Sequence, residues 1–335
     1  MSEGEQLLLV VSLVYLSGCL LWIDRRTVLF ASWFGRRWKA VVADYSWGNS
    51  VGRAYLLNPF PPFGFVVVSR LLPVSLSPAN IVSYNVQTVG NSGRPRQSRR
   101  LAPISPDTRF SRMGSALIVD GKTFCDIGDV PTAHSLVMLL NRIKHCDEAS
   151  RGSAIAEFWK NRLDVCRTGK HLRKAMSSSR PARLACSFGF VLNFMAIPLS
   201  TIWIGVNLAV LLGAAAMICS ALAVCWCYIA CHRRHYPVLK QGIAGNLVKM
   251  VLCPPSAFRA CDVIMERMTA RLDALPVAVL LLRGAEREAF LSGYLADLKR
   301  PDIPDGLPDA IRETCLWQNK TILETLSPSI GKWQH

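Results

Sequence analysis

The chain has 335 residues, 51% of them hydrophobic, and a formal net charge of +16 at pH 7. This length allows two or three domains, and the hydrophobic share is typical of a protein that lies partly in lipid and partly in water. The 12 cysteines include no CxxC pair. This argues against a zinc ribbon and a secreted disulfide scaffold, and it favours reduced thiols facing the cytosol.

The positive charge is unevenly distributed. Residues 24–183 carry 25 Lys and Arg against 10 Asp and Glu. Such a segment faces an anionic membrane surface or a polyanionic partner, or it reflects the sorting of positive charge to one side of a membrane.

The N-terminal segment 1–26 is predicted to be a membrane anchor. Leu7–Ile23 is a 17-residue apolar run followed by Asp24, Arg25 and Arg26, just long enough to span a bilayer. A cleaved signal peptide is disfavoured because the residues before the run are acidic. Leu16-Ser17-Gly18-Cys19 also resembles a bacterial lipobox, which leaves lipidation of Cys19 as an alternative.

Segment 27–147 has the pattern of a small β-rich α+β domain. Strands are predicted at 38–45, 63–70 and 80–88, where β-branched and aromatic residues cluster between turn-forming residues. Asp120-Gly121 joins two short apolar runs and predicts a type I′ hairpin turn. Val130–Ile143 has leucines at helical spacing and predicts a closing helix.

An arginine-rich stretch, 94–112, lies inside this domain. It contains six arginines and three prolines, which predicts an exposed loop. The loop is either a solvated surface or a binding site for the phosphates of lipid head groups. Nucleic acid is the least favoured partner because aromatic side chains are not interleaved with the arginines. The contact residues predicted here are Arg94, Arg96, Arg99 and Arg100.

Segment 148–183 is predicted to contain a basic amphipathic helix next to a membrane. Its apolar stripe runs through 154–176, and Ser177–Pro181 is expected to end it. Its last turns carry Arg167, Lys170, Arg173 and Lys174. These cations predict contact with the anionic cytoplasmic leaflet.

Residues 184–231 contain no Asp, Glu, Lys or Arg over 48 positions. One straight helix of this length would measure about 72 Å, more than twice a hydrocarbon core of about 30 Å. The run is therefore predicted to be a two-helix membrane hairpin that turns between Pro198 and Asn207. Charged side chains inside a span mark the paths of ions and protons, and this run has none. Their absence disfavours a transporter or channel.

The segment 232–335 is predicted to be a helical cytoplasmic tail. Apolar residues from 258 to 275 alternate at spacings of three and four, and this seam is expected to pack on neighbouring helices or on a partner. The seam residues predicted to contact a partner are Phe258, Met265, Met268 and Leu272. Further helices are predicted around Phe290–Leu298 and Ile311–Leu326.

Three constellations resemble reactive sites. Gly48–Gly52 matches the G-x-S-x-G elbow, but Pro59 arrives too soon for the helix that the motif needs, so a loop is favoured. Asp126, Asp129 and His134 are better explained by helix capping at Asp129. Cys227, Cys231 and His235 would form one stripe on a helix, a candidate zinc or copper site of which two further ligands are missing.

Taken together, these patterns predict an α-helical membrane protein with three spans, a small cytoplasmic α+β domain and an all-α tail. The expected function is a non-enzymatic membrane scaffold or adaptor without a cofactor, which binds lipid, a protein partner or a second copy. The alternative is a membrane-bound enzyme or a metal or redox protein that uses Cys227, Cys231 and His235. Lys and Arg flanking the apolar runs place the N-terminus outside and both large domains inside, in a bacterial inner membrane.

Overall fold

The computed structural model describes most of the chain between residue 72 and residue 333 and several short pieces before it. The described residues are 20–23, 27–33, 37–42, 54–57, 65–69, 72–87, 96–127, 129–192, 204–235, 272–301, 303 and 306–333, with Gln6, Leu9, Val248, Met268 and Thr269.

The described residues include eleven strands. They are β1 (Leu20–Ile23), β2 (Thr27–Trp33), β3 (Arg37–Val42), β4 (Ala54–Leu57), β5 (Phe65–Ser69), β6 (Val74–Leu76), β7 (Asn80–Gln87), β8 (Arg96–Pro103), β9 (Phe110–Met113), β10 (Ala116–Val119) and β11 (Lys122–Asp126). They form four antiparallel sheets, in the orders β1-β4, β3-β2-β5, β6-β7-β8 and β9-β10-β11.

The same residues include seven helices. They are α1 (Val130–Ile143), α2 (Glu148–Arg162), α3 (Val165–Val191), α4 (Val206–His235), α5 (Ala274–Leu281), α6 (Gly284–Lys299) and α7 (Asp309–Trp333). The predicted closing helix is confirmed as α1, and the two predicted C-terminal helices are confirmed as α6 and α7.

The main core lies where α1, α2 and α7 cover the strands β6 to β11. On α1 the buried face is formed by Leu136, Leu139, Leu140 and Ile143, at the spacing that the sequence indicates. Trp159 of α2 is fully buried in the same core. Burying each such leucine or isoleucine side chain contributes about 1.5–3 kcal/mol, which is why these elements stay together.

The hairpin between β10 and β11 has the predicted turn. Asp120 has φ 48° and Gly121 has φ 76°, the left-handed values that a type I′ turn needs at both central positions. The side chain of Asp120 also accepts a hydrogen bond from the Arg109 amide at 2.8 Å. The turn therefore fixes the hairpin to the strand that precedes it.

A second core joins the first strands to the later helices. Val28 and Phe30 of β2 are buried with Leu172 of α3 and Val277 of α5. The ring of Phe30 lies 5.8 Å from that of Phe290 on α6, centroid to centroid. Segments more than 240 residues apart thus share one apolar cluster. We refer to the strands together with the helices α1, α2, α5, α6 and α7 as the body, which is a single α+β unit with its C-terminal helices packed onto it.

The predicted fold class of three membrane spans is wrong. Among the described residues, one helix, Asn207–Cys227 within α4, is long and apolar enough to cross a bilayer. The predicted N-terminal anchor is interrupted because Leu20–Ile23 at its end form strand β1, paired with Ala54–Leu57. A strand that pairs in this way cannot continue a spanning helix.

Two further predictions are corrected. The arginine-rich stretch is not one exposed loop, because residues 96–103 form β8 and pair with β7 along their length. The amphipathic helix predicted over 154–176 is two helices, α2 and α3, separated at Leu163 and Asp164. It also does not end at Ser177–Pro181, since α3 continues through Pro181 to Val191.

Candidate functional site

Among the described residues, most of the exposed large apolar side chains lie on the helices α3 and α4, which pack against each other. The C-terminal part of α3, from Leu184, and nearly all of α4 belong to the uncharged run of 184–231. The turn was predicted between Pro198 and Asn207, and residues 198–203 of that range are outside the described residues. The described part is a pair of helices that contact each other.

Helix α4 exposes most of its large apolar side chains, and the residues that it buries are mainly small. Only 28% of the candidate span is buried. The buried residues are Ala209, Ser220, Ala221, Val224 and Cys225, and the half-buried ones are Gly213, Ala216, Met217, Cys227 and Ile229. The exposed side carries Leu208, Val210, Leu211, Leu212, Ile218, Leu222 and Trp226, and Trp226 is 76% exposed.

This arrangement is the reverse of a soluble core helix. In water, large apolar side chains drive burial, and leaving each one exposed forfeits about 1.5–3 kcal/mol. Small residues at a helix contact and large ones facing outward are typical of helices packed in lipid, where close backbone approach provides the attraction. The exposed face of α4 therefore requires an apolar environment that covers it.

Helix α3 connects this surface to the body. In its first half Thr168, Leu172 and Ala175 are buried, and a Cβ built on Gly169 would lie 3.5 Å from the Leu280 side chain of α5. In its second half Leu184, Phe188 and Val191 are between 47% and 69% exposed. One continuous helix thus begins inside the α+β body and ends as exposed apolar surface.

The start of α3 is held in place by a side-chain cap. Asp164 accepts backbone hydrogen bonds from Cys166 at 2.8 Å and Arg167 at 3.1 Å. These bonds satisfy amides that have no partner within the helix. The cap thus starts α3 at Val165, shortly after α2 ends at Arg162.

A buried ion pair lies beside this junction. Arg162, at the end of α2, places its Nε 3.4 Å from Oδ2 of Asp273, and the aspartate side chain is fully buried. That contact is an ion pair whose geometry falls short of a hydrogen bond. Oδ1 of Asp273 caps α5 by accepting from the Leu275 amide at 3.2 Å. Burial raises the pKa of Asp273 to about 6, although the Arg162 charge opposes the rise.

The sequence analysis also missed Arg151 of α2, whose guanidinium joins three parts of the body. It donates to the carbonyl oxygens of Ile143 (3.2 Å), Cys146 (2.9 Å), Lys144 (3.1 Å), Ile104 (2.6 Å) and Pro78 (3.3 Å). Neither this contact nor the Arg162–Asp273 pair has a local sequence pattern. Both depend on residues that are distant along the chain.

Three of the four predicted arginine contacts lie on strand β8 rather than on a loop. Arg94 is outside the described residues, and only the backbone of Arg96 is described. Arg99 and Arg100 are half-buried on β8, and Arg100 donates to the Thr123 carbonyl of β11. Arg100 thus connects β8 to β11. Fewer of the predicted arginines are therefore available to bind a phosphate.

The predicted metal stripe is only partly described. Cys227, Cys231 and His235 all lie on α4, so their backbone has the predicted helical spacing. The side chains of Cys231 and His235 are outside the described residues. Within the described part of the chain, no group of three or more His, Cys, Asp or Glu could hold a metal ion.

The predicted partner seam is partly buried within the chain itself. Met268 and Leu272 are each 7% exposed, and Leu272 belongs to the second core with Val28 and Val277. Phe258 and Met265 lie outside the described residues. Partner contact through the seam stays a prediction for those two positions.

The other two candidate sites do not form an arrangement of reactive groups among the described residues. Gly48–Gly52 is outside the described residues. The side chain of Asp129 accepts from the Thr132 amide at 3.0 Å and caps α1, as predicted. His134 is exposed on α1.

No protein-family model matches this chain, and no significant match was found among curated proteins or solved structures.

Proposed function

We propose that this chain is an integral membrane protein whose helix pair, α3 and α4, anchors the α+β body at a lipid surface. One observation carries the proposal: α4, which packs against α3, exposes most of its large apolar side chains and buries mainly small ones. A bilayer would cover the outward side. The 21 residues of Asn207–Cys227 measure about 32 Å as a helix, which matches a hydrocarbon core of about 30 Å.

The body is the part that an anchored scaffold presents to other molecules. It exposes two methionines, Met113 at the end of β9 (72%) and Met138 on α1 (60%). Methionine side chains adapt to irregular apolar partners, so they favour binding of a protein. The proposed role is therefore to hold a binding surface at the membrane by means of α3.

The anchor is tested by extracting membranes that contain the full chain with alkaline carbonate. The wild-type chain should stay with the membranes. A variant with Leu211→Arg, Ile218→Arg and Leu222→Arg should be released, because each arginine in the middle of a spanning helix costs about 2.5–3.5 kcal/mol. All three positions are on the exposed face of α4, more than half exposed, so the helix pair itself need not be disturbed.

The matched control places the same three charges on the body, as Met113→Arg, Met138→Arg and Leu316→Arg. These side chains are also exposed, and the control should remain in the membrane fraction. Release of the wild-type chain, or equal release of both variants, would contradict the anchor.

A further inference from the structure

One face of α3 forms a basic strip from residue 167 to residue 180. At about 100° per residue its exposed cations fall within an arc of about 140°, which places them on one side of the helix. They are Arg167, Lys170, Arg173, Lys174 and Arg180. Helix α3 contains no Asp or Glu, so the strip has no carboxylate of its own. We refer to these five residues as the basic face.

The opposite face of α3 is fixed to the body, so the basic face points away from it. Thr168, Leu172 and Ala175 are at most 4% exposed, and α5 packs against this part of the helix. Asp164 at the start of α3 is engaged in backbone bonds to Cys166 and Arg167. The orientation of the cations is thus set by a packed core rather than by flexible side chains alone.

The basic face continues directly into the apolar surface. Leu184, Phe188 and Val191 follow Arg180 at spacings of three or four, so they extend the same side of the helix. Pro181 lies at the boundary inside α3. Proline has no amide hydrogen for the carbonyl of residue 177, so the helix is able to bend at this point.

The length of the strip indicates how it meets a bilayer. From Arg167 to Arg180 the helix rises about 20 Å, whereas the head-group layer on each side of a bilayer is only about 5–8 Å thick. A helix perpendicular to the membrane would bring only Arg180 to the head groups. A bend at Pro181 would be needed for the whole basic face to lie along the surface while Leu184 and the following residues enter the hydrocarbon.

We propose that the basic face of α3 binds the head groups of anionic phospholipids and holds this half of the helix along the membrane surface. The inference rests on the proposed membrane anchor and deepens it. Nucleic acid fits less well because no Phe, Tyr or Trp lies between Arg167 and Arg180 to stack on bases.

The test uses the full chain reconstituted into phosphatidylcholine bilayers that contain a trace of spin-labelled phosphatidylserine or spin-labelled phosphatidylcholine. Electron spin resonance measures the fraction of each lipid that is immobilised by the protein. The wild-type chain should prefer phosphatidylserine, by about fivefold for each cation that contacts the surface. The preference should decrease when NaCl rises from about 0.05 M to about 0.5 M, since salt screens surface charges.

Variants in which neutral glutamine replaces the cations show which residues cause the preference for phosphatidylserine. The variant with Arg167→Gln, Lys170→Gln, Arg173→Gln and Lys174→Gln should reduce the preference to about the fivefold that Arg180 alone contributes, since glutamine keeps the helix propensity while removing the charges. The control variant with Lys122→Gln, Arg142→Gln, Lys299→Gln and Arg300→Gln removes the same charge from exposed sites elsewhere and should keep it.

The outcomes separate the two proposals. Reconstitution without any preference for phosphatidylserine overturns the lipid-binding face and leaves the anchor standing. A preference that is undiminished in the α3 variant, or that falls equally in the control, also overturns it. Failure of the wild-type chain to enter bilayers at all would overturn both. Sodium phosphate should act like NaCl at equal ionic strength, and a stronger effect of phosphate would instead indicate a site for the free ion.

Discussion

At the scale of single residues, the contact between Arg162 and Asp273 is an ion pair in the interior of the fold. Two charged groups give up hydration in the interior, and their attraction repays this only when the geometry is good. Here the pair also caps α5 and adjoins the start of α3. It therefore fixes the position of the helix that leads to the apolar surface.

The raised pKa of Asp273 predicts a pH dependence of stability. Burial raises this pKa from 3.8 to about 6, so the folded chain binds a proton more tightly than the unfolded chain. The contribution of Asp273 to the free energy of unfolding is then complete below pH 3.8 and is lost as the pH rises to about 6. The free energy of unfolding falls by about 3 kcal/mol over this range, because each unit by which the folded chain raises the pKa corresponds to about 1.4 kcal/mol.

The measurement is thermal unfolding in detergent between about pH 4 and pH 7, for the wild-type chain and for Asp273→Asn. Asparagine keeps an acceptor for the Leu275 amide but does not titrate, so the variant should lack this part of the decline. Parallel pH profiles for the two proteins would contradict the assignment to Asp273.

At the scale of elements, the sequence predicted those structures whose determinants are local. The bounds of α1 follow from Asp129, Pro131 and four apolar residues within a single helix, and the turn at Asp120-Gly121 needs only two residues. Strand β8 was missed because its arginines and its proline indicate a loop when read alone. Its partner β7 supplies the backbone hydrogen bonds, and no local pattern shows that pairing.

The extent of α3 was missed for a related reason. Three serines and Pro181 predict a helix end, since proline removes one hydrogen bond and disfavours the helical conformation of the residue before it. In the structure the helix is supported by packing on α5 before the proline and on α4. Tertiary contacts therefore outweigh the local preference.

The cap on α1 gives an element-scale prediction. The Asp129 side chain accepts from the Thr132 amide at 3.0 Å and from the Thr132 hydroxyl at 2.6 Å. Asp129→Ala should lower the free energy of unfolding by about 1 kcal/mol, whereas Asp129→Asn should lower it by less than half of that because the amide oxygen still caps the helix. Denaturant unfolding measures both, and equal losses would show that the cap contributes little.

At the scale of the whole molecule, the sequence predicted an uncharged helical segment attached to a mixed α+β body, but it overestimated the number of spans. Apolar length alone cannot distinguish a spanning segment from a strand, as Leu20–Ile23 shows. The arrangement of α4 could not be predicted either, because which side faces outward depends on how α3 packs against it. That arrangement is the basis of the proposed anchor.

The central claim is that the outward faces of α4 and of the end of α3 contact lipid chains. A phospholipid with a photoactivatable group at the end of its acyl chain tests this directly in bilayers containing the unmodified full chain. Mass spectrometry should find the cross-links in residues 184–192 and 207–227, and not in the exposed side chains of Met113 and Met138. Cross-links that are absent from 207–227, or that are as frequent on α1 as on α4, would contradict the account.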